Sequence, residues 1–212
     1  MRSGSLAVGA VLLAAGQSSR FGQPKQLLML GGESLLRRAA KIALEAGCNP
    51  VAVVLGSEAE RMWQEVADLP VEIVVNLHWE SGMASSVRAG LQGLLASHAP
   101  PGSTFLLICD QPYLTADVLR TLAKTRAFKD KSAAVSVYES GVMGPPCLFS
   151  AELFPNLLSM KGEQGAKRMI ARLSLDEVAC VPFPAGEWDI DTLEDWERLT
   201  EEIAAEVSAP EA

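Results

Sequence analysis

The chain is poor in the side chains that carry most redox, metal and acid–base chemistry. Its 212 residues include two histidines, His78 and His98, and four cysteines, Cys48, Cys109, Cys147 and Cys180. No C-x-x-C pair occurs, so zinc-ligand spacing is missing, and scattered thiols of this kind read as reduced and mostly buried. No Ser/His/Asp arrangement is legible. Eighteen Lys and Arg stand against 26 Asp and Glu, a net charge of −8. That excess argues against a broad nucleic-acid or anionic-membrane surface, because phosphate backbones are held by basic patches. Any phosphate site must therefore be local. No run approaches the ~20 apolar residues of a spanning helix, and no internal repeat is present.

Both standard nucleotide fingerprints also fail. In "AAGQSSRFGQPK" Gly16 is followed by no glycine until Gly22, so the G-x-G-x-x-G that brings backbone against a pyrophosphate is missing. "GQPK" places the lysine three residues after its glycine, which is not a P-loop.

What remains is a chain that is 49% hydrophobic and long enough to bury one full core, read as a single domain over 1–212. Arg2 followed by "LAVGAVLLAAGQSS" has the shape of a short signal peptide. The same run makes a good buried strand from Leu6 to Ala15, and chemically purposeful residues follow it, so the strand reading is adopted and a cytoplasmic protein expected.

Ser34 caps a helix that runs to Ala46 and ends at Gly47. Strands follow at Pro50 to Gly56, Val71 to Asn76 and Ser103 to Cys109, with Ser57 and Glu60 forming a capping box for the helix after the first of these and a helix from Met83 to Ser97 before the last. The second half reads as a helix from Thr115 to Ala127, a strand from Ser132 to Tyr138, a loop entering a short strand over Gly144 to Phe149, and helical pieces over Ala151 to Met160 and Gln164 to Leu173. A strand at "VACVPF", a helix from about Leu193 and a frayed acidic tail over 201–212 complete it. Continuous apolar runs suit strands covered on both faces, and the alternation of strand and helix predicts an α/β fold with right-handed crossovers. Ligands bind such sheets beyond the carboxyl ends of the strands. Polar clusters fall there at Gly16 to Lys25, Asn76 to Ser86, Asp110 to Tyr113 and Asp189 to Asp195.

In the first cluster, two hydroxyls (Ser18, Ser19) and a guanidinium (Arg20) sit between Gly16 and Gly22, and an ammonium (Lys25) follows. Backbone amides with an Arg and a Lys can wrap a triphosphate, although a solvated loop would look similar. In "LLICDQP" an apolar strand delivers Asp110, placed either to bind magnesium or to cap a turn. "EWDIDTLEDW" offers Asp189 or Asp191 as a second carboxylate on that metal, with Thr192 and Asp195 as a capping pair.

Taken together these segments resemble the MobA-like nucleotidyltransferase family, and within it most closely the cytidylyltransferases that act on molybdopterin. The resemblance rests on Leu13 to Lys25, on Asn76, Trp79, Gly82, Met83, Ser85 and Ser86, and on Cys109 to Pro112. Two departures qualify it: "GEQGAK" with Glu163 and Lys167 where the family pattern has Asp and Arg, and Leu193 where it has Pro. The resemblance implies a three-layer Rossmann-like nucleotidyltransferase fold with a mostly parallel sheet, a nucleotide-binding half over about 6–115 and an acceptor-binding half over about 116–200. The implied reaction moves CMP from Mg-CTP to the terminal phosphate of molybdopterin or its molybdenum cofactor and releases pyrophosphate. The implied cofactor is Mg2+, and the implied partners are CTP, molybdopterin and a molybdoenzyme or its chaperone.

The same resemblance assigns Arg20 and Lys25 to the triphosphate, the backbone of Leu13, Ala14, Ala15 and Gly16 to the nucleotide, and Asn76, Gly82 and Ser86 to the base or ribose. Asp110, with Asp189 or Asp191, would hold the metal, and Lys167 and Arg168 would meet the acceptor. Ala14-Ala15-Gly16 is similar to the cytidine-using version of the family motif. The alternatives are a guanylyltransferase, a sugar-phosphate nucleotidyltransferase and a noncatalytic cofactor carrier. A nicotinamide oxidoreductase is opposed by the missing glycines.

Overall fold

The structure, a computed structural model, describes residues 7–17, 21, 23–190 and 192–208, the last six of these by backbone alone. Its strands are β1 (Val8–Ala14), β2 (Met29–Leu30), β3 (Glu33–Ser34), β4 (Val51–Leu55), β5 (Glu72–Val75), β6 (Ser103–Ile108), β7 (Ala133–Val137), β8 (Met143–Ser150) and β9 (Val178–Pro182). Its α-helices are α1 (Leu35–Glu45), α2 (Ala59–Gln64), α3 (Met83–Ala96), α4 (Ala116–Lys129), α5 (Phe154–Leu158), α6 (Ala166–Ile170) and α7 (Leu193–Ser208).

Seven strands form one sheet in the order β5-β4-β1-β6-β8-β7-β9, and β2 with β3 makes a small separate hairpin. All neighbours in the large sheet run parallel except around β8, which is antiparallel to both β6 and β7. β1 lies inside the sheet, and its side chains divide with the period of two that a pleated strand imposes. Ala10, Leu12 and Ala14 join the core under α1, α2 and α4, whereas Val11 and then Ala15 join the core under α3, α5 and α6. The result is helix, sheet, helix: three layers. A third apolar cluster, of Phe21, Leu28, Leu30, Leu35, Ile190 and Leu199, ties α7 to the segment after the first loop.

Several local expectations hold. Ser34 accepts from the Arg37 amide at the start of α1, and Gly47 takes a φ of 86° just past its end. The Thr192 amide donates to the Asp195 carboxylate and the Asp195 amide to the Thr192 hydroxyl, so that pair does cap α7. Cys48, Cys109 and Cys147 are buried free thiols, and Cys180 is a free, exposed one. Burial pushes the Cys48 and Cys109 thiols up to about 12, which keeps them protonated. Among the described residues no helix is long and apolar enough to cross a membrane.

Three expectations need correction. The Ser57/Glu60 capping box does not form: the helix opens at Glu58, which has a left-handed φ of 52°, makes no side-chain cap and pairs with Arg61. Gly144 to Phe149 is not a loop leading to a short strand but most of β8, the reversed strand. Its two prolines are accommodated because β8 pairs with β6 only from Cys147 onward and its register against β7 shifts between Val135 and Ser136; prolines are tolerated in sheets where the ladder is interrupted. Finally, α7 continues to Ser208, so most of the expected tail begins as helix.

Candidate functional site

The parallel strands deliver their polar ends to one edge of the sheet, and there the structure has an open cleft of about 650 Å³. β1 and the residues just after it contribute Leu13, Ala15 and Gly16, and β6 with the residues just after it contributes Ile108, Cys109 and Asp110. Phe21, Lys25 and Gln26 come from the segment after β1, and Trp79, Glu80, Gly82, Met83 and Ser86 from the turn into α3. Glu163, from the turn between α5 and α6, completes the rim.

At its base the Lys25 ammonium donates to Oδ2 of Asp110, and both side chains are largely buried, with 18% and 14% of their surface exposed. The other carboxylate oxygen, Oδ1, is buried and has no hydrogen-bond partner among the described residues. An unmet acceptor on a carboxylate is costly unless something supplies positive charge. A hard divalent cation with oxygen ligands fits that oxygen, and Asp110 is the residue that would hold it.

Lys25 opens a 3-10 turn, and the next residue holds the loop in place. Gln26 is 2% exposed, and its Nε2 donates to the carbonyls of Gly16, at 2.7 Å, and Ala14, at 3.3 Å. Sequence reasoning missed this residue; its only signal was a glutamine before "LLML". Gln111 was missed as well. Its Nε2 lies 2.7 Å from the Gly186 carbonyl, 3.0 Å from the Pro145 carbonyl and 3.1 Å from the Tyr138 hydroxyl, joining the end of β6 to β8 and to the turn before α7. Tyr138 in turn donates to the Pro145 carbonyl at 2.6 Å, and burial raises its phenol above the ordinary range. Gln111→Leu is expected to lower stability by about 2 kcal/mol, the cost of leaving buried carbonyls unpaired; urea denaturation measures it.

The other residues singled out from the sequence separate into groups. Leu13, Ala15, Gly16, Lys25, Gly82, Ser86 and Asp110 share the cleft, while Ala14 turns into the opposite core and meets the site only through its carbonyl. Asn76 is buried and absent from the cleft lining. Its amide nitrogen donates to Ser85 Oγ at 2.8 Å and Ser86 Oγ at 3.0 Å, and its oxygen accepts from the His78 amide, so it shapes the start of α3. Lys167 and Arg168 are exposed on α6 and do not line the cleft, whereas Glu163 of the same segment does. Asp189 is exposed and lines a separate shallow depression with Trp188, Asp195 and Arg198, although the next residue donates its amide to the Asp110 carbonyl at 3.2 Å. Arg20 and Asp191 lie outside the described residues. Among the described residues no group of three His, Cys, Asp or Glu converges as a metal cage, so a cation at Asp110 would share its coordination with substrate oxygens or water.

A mostly parallel sheet covered by helices on both faces, with a polar cleft at its strand ends, is a Rossmann-like α/β architecture, and the family match makes it that of a nucleotidyltransferase. The chain belongs to the family defined by the MobA-like NTP transferase domain, which matches residues 10–178. It is similar to nicotine blue oxidoreductase of Paenarthrobacter nicotinovorans, 36% identical with 91% of this chain and 96% of that protein covered. It is also similar to the purine catabolism protein PucB of Bacillus subtilis, at 34% identity, 89% and 94% covered. With the molybdenum cofactor cytidylyltransferase of Escherichia coli it shares 28% identity, with 73% and 79% covered. Among solved structures, Rv0371c of Mycobacterium tuberculosis superposes with a TM-score of 0.79 at 27% identity, 93% and 100% covered, and that protein has also been solved in complex with manganese.

Proposed function

We propose that the chain transfers CMP from Mg-CTP to the terminal phosphate of molybdopterin or its molybdenum cofactor and releases pyrophosphate. The observation that carries the reading is the Lys25–Asp110 pair in the cleft that Ala15 and Gly16 also line, with a buried carboxylate oxygen that has no hydrogen-bond partner among the described residues. An acceptor phosphate oxygen forms the new bond to the α-phosphorus as the bond to the β-phosphate bridge breaks. An ionised phosphate is already a nucleophile, so the cleft's lack of histidine is no obstacle. Lys25, with Arg20 from the same loop, holds the triphosphate and neutralises charge on the leaving pyrophosphate. Asp110 would hold the cation, and Gln26, bonded to the Gly16 and Ala14 carbonyls, keeps the loop backbone fixed while the bond changes. When bound, Mg2+ supplies charge neutralisation on the phosphate oxygens.

Ser86 and the turn around Gly82 face the base or ribose, and the acceptor lies on the side of α6, where Lys167 and Arg168 stand at a distance and Glu163 meets the cleft. The cytidine preference rests on Ala14-Ala15-Gly16 and on the Escherichia coli relative. The proposed setting is the cytoplasm, with a molybdoenzyme or its chaperone receiving the product.

A second reading, an oxidoreductase, is favoured by the 36% identity to nicotine blue oxidoreductase. Thermal unfolding with magnesium and each of CTP, GTP, ATP, UTP and NAD separates the two. Ligand at about 100 times its dissociation constant stabilises by ~2.7 kcal/mol, several degrees for a domain of this size. A CTP-selective, magnesium-dependent shift is expected. A GTP-selective shift would replace cytidylyl with guanylyl transfer, and an NAD-selective shift would favour the oxidoreductase. A CTP shift without pyrophosphate release when molybdopterin is supplied would make the protein a carrier.

A further inference from the structure

Lys25 reaches Asp110 from a backbone that is fixed on both sides. The Leu27 amide donates to the Pro24 carbonyl and the Leu28 amide to that of Lys25, while Gln26 is bonded to the end of β1. Leu28 and Leu30 are packed with Ile190 and Leu199. Any movement of the ammonium therefore belongs to the four-carbon side chain, which is long and flexible. The carboxylate it meets is mostly buried, where like charges repel far more strongly than in water. A divalent cation cannot take Asp110 cheaply while that ammonium stays.

We infer that Lys25 is the resident counter-ion of Asp110, and that its transfer from the carboxylate to an incoming triphosphate couples metal binding to nucleotide binding. Without a triphosphate, Lys25 compensates Asp110 and keeps it a weak metal ligand. With one, Lys25 moves to the phosphate oxygens and both carboxylate oxygens become available to the cation. Coupling of this kind is reciprocal, so the metal strengthens triphosphate binding by the same factor. The inference rests on the metal and triphosphate assignments above, and on neither the base nor the acceptor.

The test measures Mn2+ binding without nucleotide, read from the electron paramagnetic resonance signal of the free ion. Lys25→Gln is expected to bind Mn2+ roughly tenfold more tightly than the wild type, because the competing charge is gone. Lys25→Arg keeps the charge and is expected to match the wild type. The gain should vanish in the Lys25→Gln/Asp110→Asn double variant. Preformed Mn-tripolyphosphate, titrated by calorimetry, should bind the wild type roughly 100-fold more tightly than Mn2+ alone, and that ratio should fall by about tenfold or more in Lys25→Gln. Unchanged or weaker Mn2+ binding by Lys25→Gln, or a gain that survives loss of the Asp110 charge, would overturn the counter-ion role. Lys25→Met substitutes if circular dichroism shows that the glutamine variant is unfolded. A protein that prefers GTP or another acceptor would still show this coupling, so its failure is separate from a wrong base or acceptor assignment.

Discussion

Asp110→Asn is expected to lower pyrophosphate release roughly 10³-fold, at the upper end of what removing one well-placed electrostatic group costs, with the folded structure retained. The substitution keeps the side-chain volume and removes the charge. Asp110 sits just past the end of β6, and the substitution leaves in place the backbone bond by which its carbonyl accepts from the Ile190 amide. The carboxylate has a different task. One oxygen is paired with Lys25 and the other is buried without a hydrogen-bond partner among the described residues, an arrangement that makes sense for a ligand and poor sense for a structural brace. An asparagine offers one neutral oxygen where two charged ones stood, so on the proposed reading the cation would lose its anchor and the triphosphate its alignment. Steady-state pyrophosphate release and a urea unfolding curve on the same sample check both halves. Turnover within a factor of about three of the wild type would remove Asp110 from the metal site, since electrostatic groups that matter cost far more.

The parts of this molecule that were legible in the sequence are those set by local chemistry. The buried run that became β1, the Ser34 cap, the stop at Gly47 and the capping pair at Thr192 and Asp195 each follow from a few adjacent residues. So does the delivery of Asp110 just past an apolar strand, with Pro112 two residues further on. What stayed hidden depends on partners far apart in the chain. Nothing near Gly144 says that β8 runs opposite to its neighbours; its direction is fixed by pairing with β6 and β7. Gln111 becomes a junction only because Pro145 and Gly186, 34 and 75 residues away, fold onto it. Charge type also misled in one place. Two cations on α6 looked suited to an anionic acceptor, but burial of Ala166, Met169 and Ile170 turns Lys167 and Arg168 outward, and the residue that the preceding turn brings to the cleft is acidic.

Gly82→Ala is expected to cost about 3 kcal/mol of stability, more than most single substitutions. The family resemblance assigns this glycine to the base or ribose, but the close approach in the structure is to the protein itself. Gly82 caps α3 with a φ of 101°, and a Cβ placed there would lie 2.4 Å from the carbonyl carbon of Gly162 and 2.8 Å from the amide nitrogen of Glu163. Both are backbone atoms and cannot swing aside as a side-chain tip would. Left-handed strain alone accounts for about 1 kcal/mol or more. The rest follows from pushing away a turn whose Gly162 carbonyl accepts from the Ala84 amide at 3.0 Å. Because that turn carries Glu163 to the cleft, the variant should also open the acceptor side, and limited proteolysis should cut first within 161–165. Gly16→Ala provides the contrast, since its Cβ would meet nothing within 4 Å; its stability should stay within about 0.5 kcal/mol of the wild type, as for a site without strain or clash. If the two variants unfold at the same urea concentration, the turn does not press on Gly82 as described. If Gly82→Ala alone is destabilised and also loses affinity for the acceptor but not for the triphosphate, the clamp between α3 and the Gly162 turn is what shapes the acceptor side of the cleft.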